Sequence, residues 1–163
     1  MPKLSVLGSS ALAELSARAA ATPRLRLNRN LHLMDDPVHR LLNAIEPGSY
    51  VRPHRHLSPP KSETVVAVAG AIGVVTFDSH GEVQERVRLE AGGKAFLADI
   101  PPDLWHTLLA LEPGSVFFET KVGPYAPPAP EDLAAWAPPE GDKEVIPLLG
   151  IWAKLFTTNL HED

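Results

Sequence analysis

Residues 48–70 read GSYVRPHRHLSPPKSETVVAVAG, and they hold the side chains best suited to chemistry. His54 and His56 stand one residue apart, Glu63 follows, and Gly48 and Gly70 bracket the group. In an extended segment, residues two apart project to the same face. The two imidazoles then sit about 6–7 Å apart at the backbone, able to converge on one cation, while Arg55 faces away. Imidazole is a ligand for borderline divalent metals such as Zn, Fe, Ni, Mn or Cu. Glu63, opening the next strand, adds a carboxylate oxygen, and His106 follows the tight turn PPDLW. Three neutral nitrogens and one anionic oxygen would hold a divalent cation and leave positions open for water or substrate. The chain contains no cysteine, which excludes disulfides, thiolate metal sites and cysteine nucleophiles.

The flanking residues suggest what the site could hold. Tyr50 and Arg52 share parity with the histidines, so a regular strand turns Arg52 into the same cavity. There its guanidinium fork would grip a carboxylate or phosphate; if Pro53 breaks the strand, Arg52 sits at the rim in water. Lys61 shares parity with Glu63 and would hold an anion, act as a base, or pair with a nearby acid. Asn43, on an otherwise apolar face with Leu41 and Ile45, either reaches the pocket or satisfies a turn. Trp105, Phe118 and Tyr125 read as core and rim packing, with Phe118 also a candidate substrate contact. The expected catalytic groups are Glu63 and Lys61; the expected substrate contacts are Arg52, Asn43, Tyr50 and Phe118. His32 and His39 are expected to lie away from the metal, with His80 and His161 as exposed bystanders. No phosphate-binding glycine loop and no serine triad are present.

These residues need a scaffold, and the sequence describes one. Its 163 residues suit one domain, and 44% apolar with 21% charged residues is the composition of an ordinary globular protein. A formal charge of −5 gives no reason to expect nucleic acid. Glu14 and Arg18 interrupt the N-terminal apolar stretch and no run reaches a membrane span, so a cytoplasmic protein is expected. Ser9 or Ser10 can cap a helix of about three turns with Leu12, Leu15 and Ala19 on one face, ended by Pro23. The alternation in PRLRLNRNLHL predicts a half-buried strand with its arginines on a solvated face. From His39 to Lys121, short strand-like runs alternate with EPGS, LSPPKS, DSHG, EAGG, PPDLW and a second EPGS. This pattern predicts an all-β fold, a small antiparallel β-barrel or jelly roll. After Tyr125 prolines become dense; a helical turn over 131–136 and an apolar tail remain, the tail docking on its own barrel or on a neighbour. The expected divisions are 1–24 for the helix and lead-in, 25–125 for the barrel, and 126–163 for a Pro-rich extension. A homodimer is expected.

Gly48, His54, His56, Glu63 and Gly70 resemble the first cupin motif, with six residues between His56 and Glu63 where three or four are usual. Pro101 to His106 resembles the second, with Asp103 where glycine is usual and Ala110 where asparagine is usual. A closer similarity, to WbuC-type cupin fold metalloproteins, rests on several stretches: the NLH of 30–32, DPVHRLLNAIEPGSYVRPHRH, the spacing of Pro59, Lys61 and Glu63, and WHTLLALEPGSVFFETKVGPY. It covers about residues 10–125. The resemblance implies an RmlC-like β-barrel with one divalent transition metal (Zn, Fe, Ni or Mn) held by His54, His56, Glu63 and His106. It also implies an association with bacterial surface-polysaccharide pathways. Three functions fit: a metal-dependent isomerase or epimerase on a small sugar-derived or carboxylate-bearing molecule, an Fe(II)-dependent dioxygenase, or a non-catalytic ligand-binding or sensor module.

Overall fold

Strands form where apolar runs are punctuated by proline, glycine and aspartate. In the computed structural model, which describes residues 3–157, there are eight of them. They are β1 (Arg26–Asn30), β2 (Val38–Ile45), β3 (Glu63–Ala69), β4 (Ala71–Phe77), β5 (Val83–Glu90), β6 (Leu97–Ile100), β7 (Trp105–Ala110) and β8 (Ser115–Val122). All pairings are antiparallel, in one sheet ordered β1-β2-β8-β3-β6 and another ordered β5-β4-β7. The ladders stay as two separate sheets, so the jelly-roll form of the expected fold is the one observed, without a closed ring. Gly70 links β3 to β4 with φ +61°, and a Cβ there would meet Ser115 Oγ at 2.6 Å, so only glycine fits.

The sheets pack through residues of alternating parity. Ile45, Val65 and Phe117 from the larger sheet meet Ile72, Val74 and Leu108 from the smaller. That alternation fixes which charged side chains face inward. On β8, Phe117, Glu119 and Lys121 point into the fold, while Val116 and Phe118 point out. Lys121 lies opposite Glu63 on one side and His39 on the other.

Helix α1 (Ser9–Ala20) covers the outer face of the larger sheet, burying Leu15 and Ala19 against Leu42, Ala44 and Val116. The expected serine cap does not form: Gly8 takes the cap position with no side-chain hydrogen bond, and both serines are already helical. The arginines of β1 also differ from expectation. Arg26 is half-buried, donates to the Tyr50 carbonyl at 2.7 Å and pairs with Glu140 at 2.9 Å.

The C-terminal segment packs on its own chain. Helix α2 (Val145–Lys154) buries Val145 and Trp152 in a cluster with Tyr50, Val75, Phe77 and Leu109 on the outer face of the smaller sheet. The helical turn expected over 131–136 shrinks to a 3-10 turn, Pro130–Asp132. His161 lies outside the described residues. Among the described residues, no helix is long and apolar enough to cross a membrane.

Candidate metal centre

Residues 51–62 carry the two spaced histidines but form no regular strand, contrary to the alternation read from them. Pro53 has no N–H to give to a ladder, and Pro59 and Pro60 follow. An isolated bridge holds the segment instead: His54 N–H donates to the His106 carbonyl at 3.0 Å, and His106 N–H donates back at 2.9 Å. Two of the expected ligands are thereby fastened to each other through their backbones. A second edge comes from the C-terminal segment. Arg55 N–H donates to the Asp132 carbonyl and Ala134 N–H to the Pro53 carbonyl. The buried Asp132 carboxylate accepts N–H bonds from Leu57 (3.3 Å) and Ser58 (2.9 Å).

His54, His56, Glu63 and His106 come together as the sequence predicts, with one ligand atom from each lying within 4.8 Å of the others. An ion about 2.0–2.2 Å from each donor keeps donors at most about 4.4 Å apart, so the widest pair would close by at least about 0.4 Å on binding. The ring orientations fit the same use. His54 Nδ1 lies 3.1 Å from the Arg52 carbonyl and His106 Nδ1 lies 2.8 Å from the Leu104 carbonyl. A carbonyl only accepts, so both Nδ1 atoms carry the proton and both Nε2 lone pairs face the cluster. His106 Nε2 is fully buried without a partner, an arrangement that a cation would complete. His56 Nε2 lies 2.8 Å from Glu63 Oε2.

The electrostatics keep His54, His106 and Glu63 in ligating form. Burial, with His106 beside it, pushes the His54 imidazole down to about 3. Burial lowers His106 too. Burial would raise Glu63, but the His56 hydrogen bond and the Lys121 ammonium outweigh it and hold the carboxyl well below the usual carboxylate range. Glu119 goes the other way, raised by burial and by the Glu63 charge. Burial opposes the charge on Lys121, yet the two carboxylates outweigh that and raise it.

Glu119 and Lys121 are the participants that the sequence reading missed. Lys121 Nζ lies 2.5 Å from Glu119 Oε1 and 3.6 Å from Glu63 Oε2, and Asn43 Nδ2 donates to Glu119 Oε2 at 2.8 Å. A polar chain therefore runs from Asn43 through Glu119, Lys121 and Glu63 to His56. The signal was present in SVFFETK, whose alternation puts both charges on the face of Phe117. Of the expected substrate contacts, Asn43 lines the inner cavity. The other three point elsewhere. Arg52 gives its fork to the Ala134 carbonyl, Tyr50 OH donates to the Pro138 carbonyl, and Phe118 packs on the α1 side. Lys61 lines an outer cavity, half-buried. His39, expected at a distance, also lines it and stacks on His32 at 4.0 Å. Arg55 faces away from the cluster, bound to Asp103 at 2.7 Å over the Trp105 ring. Asp103 adopts φ +68°, which explains why glycine is usual at that turn.

Two cavities share His54 and Lys121. The inner one, about 180 Å³, has Glu63, Glu119, Asn43 and Arg26 on its walls. The outer one, about 190 Å³, has His39, His56 and Lys61.

A family described as "Domain of unknown function (DUF6016)" matches residues 7–89, just over half of the chain. No protein of curated function matches the sequence. Among solved structures, KdgF from Halomonas sp. is 20% identical with a TM-score of 0.50, covering 65% of this chain and 85% of its own. The conserved SPY1581 protein of unknown function from Streptococcus pyogenes is 16% identical with a TM-score of 0.52, covering 77% and 93%. CapF, solved with the inhibitor 3-isopropenyl-tropolone, is 17% identical with a TM-score of 0.51, covering 61% of this chain and 29% of its own. KdgF and CapF share the cupin fold with this chain.

Proposed function

This chain belongs to the DUF6016 family and has a cupin fold, and we propose that it is a divalent-metal-dependent enzyme that moves a proton on a small molecule. Isomerisation or epimerisation beside a carbonyl is the reaction class. The observation that carries the reading is the convergence of His54, His56, Glu63 and His106, with the His106 Nε2 lone pair buried and unpartnered. Four nitrogen and oxygen donors with no thiolate suit Zn, Fe, Ni or Mn. A cation bound there supplies Lewis-acid polarisation of a carbonyl oxygen.

The chain's own residues supply the proton inventory. Glu63 and Glu119 are two carboxyls whose surroundings drive their affinities for a proton apart, the pattern that separates base from acid. Glu63 is held ionised beside the cluster, whereas burial and the Glu63 charge raise the proton affinity of Glu119 behind Lys121. Lys121 bridges them and keeps the two carboxyls from repelling. The backbone bridge holds His54 and His106 side by side, and the Nδ1 contacts to the Arg52 and Leu104 carbonyls orient their rings.

The test incubates zinc-, manganese- and nickel-loaded protein with small keto-sugars and keto-acids in D2O, read by NMR. Deuterium should enter beside the carbonyl, and a chelator or His106→Ala should abolish it. Oxygen consumption by the iron-loaded protein instead would place the chain among dioxygenases. Tight binding without turnover would leave a non-catalytic ligand-binding module.

A further inference from the structure

We propose that the outer cavity takes a small monocarboxylate whose remaining body is apolar and no larger than a benzene ring. This rests on the reading that the cavity beside the histidine cluster is where substrate sits. Charge points the ligand to this side. The charged side chains on the outer wall are Lys61 and Lys121, with no carboxylate among them. The inner wall carries Glu63 and Glu119, and its cations, Arg26 and Lys121, are already paired with Glu140 and with those two carboxylates, so an anion there would face like charge. Lys121 already pairs with both of those carboxylates. Lys61 pairs with none among the described residues; its one contact is to the Pro124 carbonyl at 3.4 Å. A lysine lining a cavity without a counter-ion among the described residues is a binding site for an anion.

The opposite wall selects the body of the ligand. Val122, Pro124, Tyr125, Ala126 and Pro128 form it and offer few side-chain groups to hydrogen-bond. Val122 and Tyr125 are 53% and 55% exposed, an apolar lip that a ligand would cover. A sugar ring placed there would lose water from its hydroxyls without gaining partners. Size gives the upper limit. A cavity of about 150 Å³ accepts benzene, and the outer cavity, at about 190 Å³, has room for that ring and a carboxylate. The carboxylate is thus placed between Lys61 and the histidine cluster, with the apolar body under the 122–128 lip.

The experiment is calorimetric titration of benzoate, benzamide and glucuronate into the zinc-loaded and the metal-free protein, as wild type and as Lys61→Met. Benzoate should bind at least about 10-fold tighter than benzamide, the equivalent of one charge-assisted hydrogen bond, and tighter than glucuronate, whose hydroxyls would lose water without gaining partners. Lys61→Met should lose about 10-fold or more of the benzoate affinity while keeping benzamide affinity and zinc content. No benzoate binding, equal binding of benzamide or glucuronate, or an unchanged benzoate affinity in Lys61→Met would each overturn the proposal. Zinc content of the wild type reports on the metal reading separately. A protein that takes no zinc but still prefers benzoate through Lys61 would defeat the metal reading and leave this pocket standing.

Discussion

Replacing Asp132 with alanine should weaken the metal centre although Asp132 touches no ligand side chain. Its carboxylate is 5% exposed and accepts from Ser58 N–H at 2.9 Å and, less well, from Leu57 N–H at 3.3 Å. It also faces Arg55 Nε at 3.5 Å. A hydrogen bond to a charged acceptor contributes about 1.5–3 kcal/mol. Counting the longer bond as half, and allowing for water reaching Ser58, the loss is about 2–3 kcal/mol. Arg55 adds little to this, since Asp103 and the Trp105 ring still hold it. In a chain of this size each kcal/mol moves Tm by about 2–4 °C, so a fall of about 4–12 °C is expected. Because the bonds fix the chain that follows His56, zinc affinity should fall about 10- to 100-fold, as for other groups that orient a ligand. Glu140→Gln is the control. It loosens the same segment at Arg24 and Arg26 and not at the histidine segment, and should leave zinc affinity unchanged. Thermal melts and competition titrations with a zinc chelator provide both readings. A zinc affinity in Asp132→Ala equal to wild type, or a loss matched by Glu140→Gln, would refute the strap as a positioning element.

Acid should destabilise the metal-free protein through its buried imidazoles. His54 is held neutral down to about 3, below the 6.5 of an unfolded chain, so its contribution is complete above pH 6.5 and is lost as pH falls toward 3. The slope is at most about 1.4 kcal/mol per pH unit for this group, and His54→Asn should flatten a urea-melt series between pH 6 and 4. Gly123→Ala should cost about 2 kcal/mol or more by urea denaturation, because its Cβ would lie 2.0 Å from the Asp36 carbonyl and 2.7 Å from the His39 ring. Trp152→Ala should cost about 3–5 kcal/mol in the same assay, since its buried ring stacks near Tyr50 at 6.0 Å and Phe77 at 5.5 Å.

The strands and the four converging donor side chains were legible because both depend on local pattern. Apolar alternation and turn residues mark β2 to β8, and a histidine pair followed by a glutamate is visible as such. Side-chain direction needs register, which is why Phe118 was placed inward and Lys121 overlooked: the pairing of β8 with β3 sets Lys121 opposite Glu63 across 58 positions of sequence. Arg52 and Tyr50 were misdirected for a related reason. Their partners, the Ala134 and Pro138 carbonyls, lie in a proline-rich segment with no periodicity to read. The same holds for Asp132, whose hold on the histidine segment spans 74 residues. Proline interrupted the strand at Pro53, and tertiary contacts rather than strand geometry aim the imidazoles.

Ion content decides whether the four donors serve one cation. Protein purified without chelators and analysed by inductively coupled plasma mass spectrometry should carry about one divalent transition metal per folded chain. That ion should be lost from His56→Ala and His106→Ala, both still folded by circular dichroism, and retained in His80→Ala. A wild type that stays empty in the presence of zinc, iron, nickel and manganese, or full occupancy in either cluster variant, would contradict the account.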